Sequence, residues 1–161
     1  MSKKYKILYE NLALDWQKFK TDSKNKKIRI RDAANILSTN EASLLSTKIN
    51  DGVVFLSIPD VNAFLKELNV SGRLMFLVRN DSIVHEHNIC SKDLVFSHDM
   101  IFNNIDTKQC LIEFDSTKIY YTFYESKMHR DRLLESFQFF DIYGQSILKI
   151  YLKEQDSDLF K

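Results

Sequence analysis

Residues 119–152 read IYYTFYESKMHRDRLLESFQFFDIYGQSILKIYL, and this stretch decides the fold class. Its apolar and aromatic runs at 119–124, 137–140 and 147–152 are separated by polar segments. Short runs of aromatic and branched residues between polar turns are typical of antiparallel strands that follow one another in sequence. The stretch therefore predicts an antiparallel meander.

The strand pattern extends back to Gly72, whereas earlier residues have helical spacing. Further strand-like runs lie at residues 74–78, 83–87, 94–96 and 110–114. Apolar residues recur at intervals of three and four within residues 5–20, 30–37 and 61–68, which is the period of amphipathic helices. We expect a single α+β domain over residues 1–161. Its N-terminal helices (5–70, with one strand near 53–58) should gather on one face of a large twisted antiparallel sheet (73–153).

The segment before residue 46 carries a helix-start signal and the one motif that suggests nucleic acid. Ser38 and Glu41 form a Ser-x-x-Glu capping box, which predicts a helix starting near Thr39. Residues 31–37 and this helix are similar to the paired short helices of a DNA-reading motif. However, 23 Lys and Arg balance 22 Asp and Glu, and DNA binding normally needs a basic face. We therefore expect no nucleic-acid partner.

Composition also limits where the chain should be found. The lysine-rich start is not followed by an apolar run, and no segment approaches the ~20 apolar residues of a membrane helix. Cys90 and Cys110 occur in no metal or redox spacing. We expect a cytoplasmic protein without membrane insertion.

The histidines are the first candidates for chemistry. His85 and His87 alternate with Val84 and Glu86, so a strand would place the two imidazoles on one face with Ile83. A neutral imidazole is a common ligand of haem iron. The alternatives are an exposed histidine pair on an edge strand, or a zinc site that also uses Cys90, for which the sequence offers no regularly spaced fourth ligand.

A basic stretch separates two of the predicted strands. Lys127, His129, Arg130 and Arg132 lie close together, and their cations could pair with carboxylates through charge-assisted hydrogen bonds. The same stretch is also typical of a solvated loop. No phosphate-binding glycine loop, serine nucleophile elbow or His-Glu-x-x-His motif is present.

Three stretches closely resemble the first half of the HemS/HmuS/ChuS haem-utilisation proteins, in the same order and with similar separations. They are residues 29–34 (RIRDAA) with 40–45 (NEASLL), 78–86 (VRNDSIVHE), and 136–141 (SFQFFD) to Gly144 with 148–151 (LKIY). The second and third are fairly specific, and together the stretches cover most of the chain.

The resemblance implies non-covalent haem binding by a cytosolic protein of iron acquisition. It makes His85 the expected iron ligand, with His87 and His129 in reserve. The basic residues Arg79, Arg130 and Arg132 are expected to assist at the haem propionates. The implied function is a haem carrier or chaperone that exchanges haem with donor or acceptor proteins. An oxygen- and reductant-dependent haem-degrading enzyme is the first alternative, and a dimeric scaffold without haem is the second.

The chain departs from the family pattern in its length and at residue 113, and each departure leads to an expectation. The family is normally a tandem of two such halves, so we expect either a homodimer in place of the tandem or a half-protein. Glu113 occupies a position that in the family is often an arginine beside the iron. A carboxylate there would remove a cation and a hydrogen-bond donor.

Overall fold

Helices occupy the first part of the chain and most strands follow them. The computed structural model describes residues 3–58, 60–68, 72–97, 100–103 and 109–153. Within these residues the α-helices are α1 (Lys3–Thr21), α2 (Ile30–Ile36), α3 (Glu41–Ser46) and α4 (Val61–Glu67). None of the described helices combines the length and apolar character needed to span a membrane.

The strands within the described residues form two antiparallel sheets. They are β1 (Val53–Leu56), β2 (Arg73–Arg79), β3 (Val84–Cys90), β4 (Leu94–Ser97), β5 (Met100–Asn103), β6 (Gln109–Glu113), β7 (Tyr121–His129), β8 (Arg132–Phe140) and β9 (Ser146–Lys153). The large sheet has the order β1-β7-β8-β9-β2-β3, and the small sheet has the order β4-β5-β6. Residues 119–152 thus supply three consecutive strands of the large sheet, and the predicted α+β class is confirmed.

Register divides the side chains of the large sheet between two faces. On one face, which we call the core face, the sheet residues Phe76, Phe139, Leu148 and Ile150 are buried. They belong to one apolar cluster with Val61 and Leu65 of α4 and Ile101 of the small sheet. On the opposite face, the helix face, Phe123 and Phe140 pack against Ala42 and Leu45 of α3. Trp16 of α1 packs in turn on Ala33, Ala34 and Leu44. Residues that are paired directly across neighbouring strands share a face.

Helices therefore cover both faces of the large sheet, whereas the sequence suggested one. Helix α4 lies on the core face, where the Phe64 ring meets the Phe137 ring edge-on with centroids 5.0 Å apart. Strands β4, β5 and β6 do not extend the meander but form their own sheet. Alternation along a strand defines its two faces, but it does not determine which sheet the strand joins.

The start of α3 differs from the predicted capping box. Asn40 is the N-cap, because its side-chain oxygen accepts a hydrogen bond from the Ser43 backbone N–H at 2.8 Å. Ser38 instead has a left-handed backbone (φ 53°) just beyond the end of α2, a common helix-ending conformation. The prediction of a Ser38–Glu41 capping box is therefore wrong: Asn40 caps the helix, and the carboxylate of Glu41 accepts a hydrogen bond from Lys149.

Candidate functional site

The turn between β2 and β3 is held by the side chain of Asn80. Its oxygen accepts hydrogen bonds from the backbone N–H groups of Ser82 and Ile83, each at 2.8 Å. The Asn80 N–H also donates to the Ile83 carbonyl at 2.9 Å. A side chain that bonds the backbone two and three residues later fixes a turn. This turn sets the register of the strand that carries the candidate histidines.

His85 and His87 lie side by side on β3. His85 is paired across the strands with Val78, and His87 is paired with Phe76. Their imidazole rings are nearly parallel, with centroids 6.3 Å apart and an interplanar angle of 11°. The prediction that the two imidazoles share a face is therefore confirmed. That face is the core face, since Phe76 belongs to its apolar cluster.

The histidine pair stands at the rim of the fold. β3 is the last strand of the large sheet, and its outer edge has no strand partner among the described residues. His85 is exposed and His87 is half-buried. The preceding Ile83 and Val84 are 64% and 51% exposed. An imidazole here is accessible to a ligand, with apolar side chains of β2 on one side.

The basic stretch forms the β7–β8 hairpin turn. His129 pairs with Arg132, and the two residues between them, Arg130 and Asp131, have φ values of 50° and 63°. Two consecutive left-handed residues match the type I′ turn that suits a two-residue hairpin. All four residues are exposed. The turn thus presents its cations to solvent.

The hairpin and His85 lie at opposite ends of the sheet. His85 is five residues from Cys90, which is roughly 17 Å along β3. Cys90 pairs with Arg73, and Arg73 pairs with Lys153, so these three residues lie in one row at the same end of the sheet. The first residue of β8, Arg132, lies at this end as well. β8 is also three strands away from β3, or about 14 Å. His129, Arg130 and Arg132 therefore do not share a site with His85 within one chain.

Two further cations of the predicted site belong to the helix face. Arg79 pairs with Val84, so it projects to the side opposite His85. Within the described part of the chain, Arg79 Nε is buried with no hydrogen-bond partner. Lys127 Nζ donates to Glu125 Oε2 at 2.8 Å, so its charge is already engaged.

The other sequence candidates lie apart from the pair. Glu113 ends β6 in the small sheet and is exposed. His98 falls outside the described residues. Within the described ranges, no group of three or more His, Cys, Asp and Glu side chains could hold a metal ion. The zinc alternative with Cys90 therefore gains no support.

The helix face contains a buried ion pair that the sequence analysis missed. Lys149 Nζ donates to Glu41 Oε2 at 2.6 Å, and the two side chains are 8% and 2% exposed. Arg31 Nη1 lies 3.9 Å from the other carboxylate oxygen of Glu41. The available signal was a lysine within the apolar run 147–152, because a lysine is rarely buried without a partner.

Glu125 is the second buried carboxylate of this face. It accepts hydrogen bonds from Lys48 at 2.9 Å, Lys127 at 2.8 Å and Gln138 at 2.9 Å. Burial alone would raise its pKa, but the two lysines outweigh burial and lower the pKa to about 2. For Tyr151, burial and the carboxylates of Glu125 and Glu41 raise the pKa to about 12. The Tyr151 hydroxyl therefore stays protonated at neutral pH.

Comparison with known proteins shows a family to which the chain is similar. The model of the haemin-degrading HemS.ChuX domain matches residues 38–160. No significantly similar sequence was found among curated proteins. Holo-PhuS, a heme-binding protein from Pseudomonas aeruginosa, is similar in structure, with a TM-score of 0.76 and 25% identity. The match covers 94% of this chain and 43% of PhuS.

Two further solved structures share the fold. The heme degrading enzyme ChuS from Escherichia coli O157:H7 has a TM-score of 0.73 at 20% identity, over 94% of this chain and 44% of ChuS. ChuX has a TM-score of 0.66 at 13% identity, over 88% of this chain and 84% of ChuX. The chain therefore spans less than half the length of PhuS and ChuS, but most of the length of ChuX.

Proposed function

Because the chain belongs to the haemin-degrading HemS.ChuX domain family, we propose that it binds haem non-covalently and acts in haem utilisation as a carrier. The observation that carries the proposal is the parallel pair of imidazoles, His85 and His87, on the accessible edge strand of the large sheet. We also propose a cytoplasmic location, as the sequence suggests.

The residues present fit haem in the type of donor they offer. Imidazole nitrogen is a standard axial ligand of haem iron. His85 is exposed and can meet a macrocycle that approaches from solvent, while the half-buried Val78 lies beside it on β2. When bound, haem would supply the redox-active iron, and the protein would supply the ligand, its orientation and shielding from water. We assign the iron to His85, with His87 as the alternative ligand.

We propose that a second copy of the chain covers part of the haem. Haem sites bury most of their ligand, whereas His85 and Ile83 are exposed at the edge of the sheet. The relatives PhuS and ChuS are more than twice as long as the matched region. A role for Arg130 and Arg132 at the propionates of this haem would also require a second copy, because they lie far from His85 in their own chain.

Titration with haemin, followed by Soret absorbance, tests the proposal. We expect saturable binding by the wild type, and His85→Ala should weaken it or change the spin state of the iron. Glu86→Ala is the matched control, because Glu86 is also exposed and follows His85 on β3 but pairs with Leu77 and therefore projects to the opposite face. Identical titrations for the wild type and His85→Ala would refute the assignment. No Soret change in the wild type would favour the scaffold without haem.

Size-exclusion chromatography of the free and haemin-bound protein tests the second copy. We expect the haem complex to elute as a dimer with one or two haems. A monomeric complex with full affinity would contradict that part of the proposal.

Haem degradation is the second candidate, favoured by the description of the family as haemin-degrading. The assay is loss of the Soret band, with formation of an open-chain product, after an electron donor is added to the haem complex in air. Catalase must be present to remove free peroxide. Product formation under these conditions would replace the carrier with an enzyme.

A further inference from the structure

The end of α1 and the turn that follows it carry a dense cluster of lysines. Residues 18–27 read KFKTDSKNKK, with five lysines and one acidic residue, Asp22. This segment has a net charge of +4, whereas the whole chain has +1, so the remainder of the chain is acidic overall. All five lysines are exposed. The nearly balanced total charge therefore conceals a local basic surface.

The helix itself accounts for only two of these lysines. Lys18 and Lys20 occupy the last turn of α1, where a cation interacts favourably with the helix dipole. Lys24, Lys26 and Lys27 lie beyond the helix, and within the described part of the chain none of the three forms an ion pair. An anionic surface would offset the repulsion between these neighbouring cations.

Hydrogen bonds hold the turn against the end of the helix. The Asp22 side chain accepts a hydrogen bond from the Lys24 backbone N–H at 2.9 Å. Asn25 Nδ2 donates to the Phe19 carbonyl at 3.0 Å. Trp16 fixes α1 in the apolar cluster beneath it. The fold therefore determines where the lysines lie relative to the rest of the molecule.

The basic surface continues from α1 towards β7. Burial lowers the pKa of Lys20, and the nearby cations of Lys48 and Lys127 lower it further, against the carboxylates of Glu125 and Asp51. These three lysines come from distant parts of the sequence and meet only in the folded chain. They outnumber the two carboxylates, which leaves an excess of positive charge beside the turn.

An anionic membrane surface is the partner that fits this chemistry best. Clusters of about four to eight lysines and arginines on an amphipathic helix are typical of segments that bind anionic phospholipid headgroups. Helix α1 is of this kind, because it buries Trp16 and exposes Lys18 and Lys20.

Nucleic acids fit the segment less well. Residues 18–27 contain no arginine, the residue that recognises phosphates and guanine through paired hydrogen bonds. Their one aromatic residue, Phe19, is half-buried and stacks on Trp16. It therefore offers no free platform on which a base could stack.

We propose that a lysine patch, formed by Lys18, Lys20, Lys24, Lys26 and Lys27, binds reversibly to anionic phospholipid headgroups. The contact is peripheral: the ammonium groups meet the headgroup phosphates, and no segment enters the hydrocarbon core. Such binding would bring the protein to a membrane without an anchor. It goes beyond the proposed haem binding, because the lysine patch contains neither His85 nor His87.

Co-sedimentation of the full chain with lipid vesicles tests the proposal. The wild type should bind vesicles of phosphatidylcholine that contain phosphatidylglycerol, and should not bind vesicles of phosphatidylcholine alone. Binding should weaken as salt is raised, because exposed charges are screened. Lys24→Gln/Lys26→Gln/Lys27→Gln should bind the anionic vesicles roughly tenfold or more weakly, since each lysine near such a surface contributes about fivefold.

The matched control is Lys66→Gln/Lys92→Gln/Lys118→Gln. It removes the same charge from exposed residues outside the lysine patch and should bind the vesicles as the wild type does. Thermal unfolding checks that both triple variants fold. Because every substituted side chain is exposed, both should unfold close to the temperature of the wild type.

The proposal is overturned if the wild type does not bind the anionic vesicles, or if it binds phosphatidylcholine alone as tightly. Equal binding by the wild type and the variant at residues 24, 26 and 27 would also overturn it. Tighter binding to duplex DNA than to the vesicles, at the same phosphate concentration, would overturn it as well and make a nucleic acid the partner.

Discussion

At the scale of single residues, the helix face depends on two buried carboxylates whose partners are lysines. Glu41 and Lys149 connect α3 to β9, and Glu125 connects β7 to Lys48 beyond α3. Replacing one member of a buried pair leaves an uncompensated charge, which costs far more than the loss of an exposed pair. These residues make the packing of helices on the sheet sensitive to single substitutions.

Lys149→Met should lower the free energy of unfolding by about 3 kcal/mol, because the carboxylate of Glu41 stays buried without its closest cation. Urea unfolding measures the change. The control is Asp81→Asn, which breaks the 2.7 Å pair of Arg31 with the 84% exposed Asp81, and which should cost less than about 1 kcal/mol. Equal losses in the two variants would contradict the burial argument.

The lowered pKa of Glu125 predicts a specific pH dependence of the free energy of unfolding. Its pKa falls from 4.5 to about 2 on folding, so the unfolded chain takes up the proton first as pH decreases. The stabilisation is complete above pH 4.5, is lost between pH 4.5 and 2, and amounts to roughly 3 kcal/mol. Glu125→Gln should be less stable at neutral pH and should lose less stability over this interval. The free energy of unfolding should be measured for both proteins at a series of pH values. The same dependence on pH in the wild type and in Glu125→Gln would contradict the assignment.

At the scale of elements, the sequence predicted where the strands lie better than it predicted which elements pack against them. The alternation in residues 119–152 predicted β7, β8 and β9, and the strand expected near residues 53–58 is β1. β5 was missed, although its apolar run at residues 100–102 is as long as the run at 94–96 that was predicted as a strand. The placement of α4 on the core face and the separate small sheet depend on contacts between distant residues. Local periodicity does not contain that information.

Residues that adopt left-handed backbone conformations readily should stabilise the β7–β8 hairpin turn. Arg130 and Asp131 occupy left-handed conformations, which favour Asn and Gly in a type I′ turn. Arg130→Asn/Asp131→Gly should raise stability by about 1 kcal/mol, as measured by thermal unfolding. Arg130→Ala should give no such gain. The double variant also tests the predicted haem role of Arg130: unchanged haemin affinity would exclude it.

At the scale of the whole molecule, the sequence predicted the histidine pair but not the site as a set. Alternation was sufficient to place His85 and His87 on one face. It could not show that Arg79 projects to the opposite face, which depends on the register of β2 and β3. Nor could it show that Arg132 begins a strand at the far end of the sheet, which depends on the strand order.

The central claim is a bond between iron and the imidazole of His85, and resonance Raman spectroscopy of the ferrous haem complex detects that bond directly. An iron–imidazole stretching band is expected in the wild type and in Glu86→Ala. The band should be lost or shifted in His85→Ala. An unchanged band in His85→Ala, or no such band in the wild type, would contradict the assignment of His85 as the iron ligand.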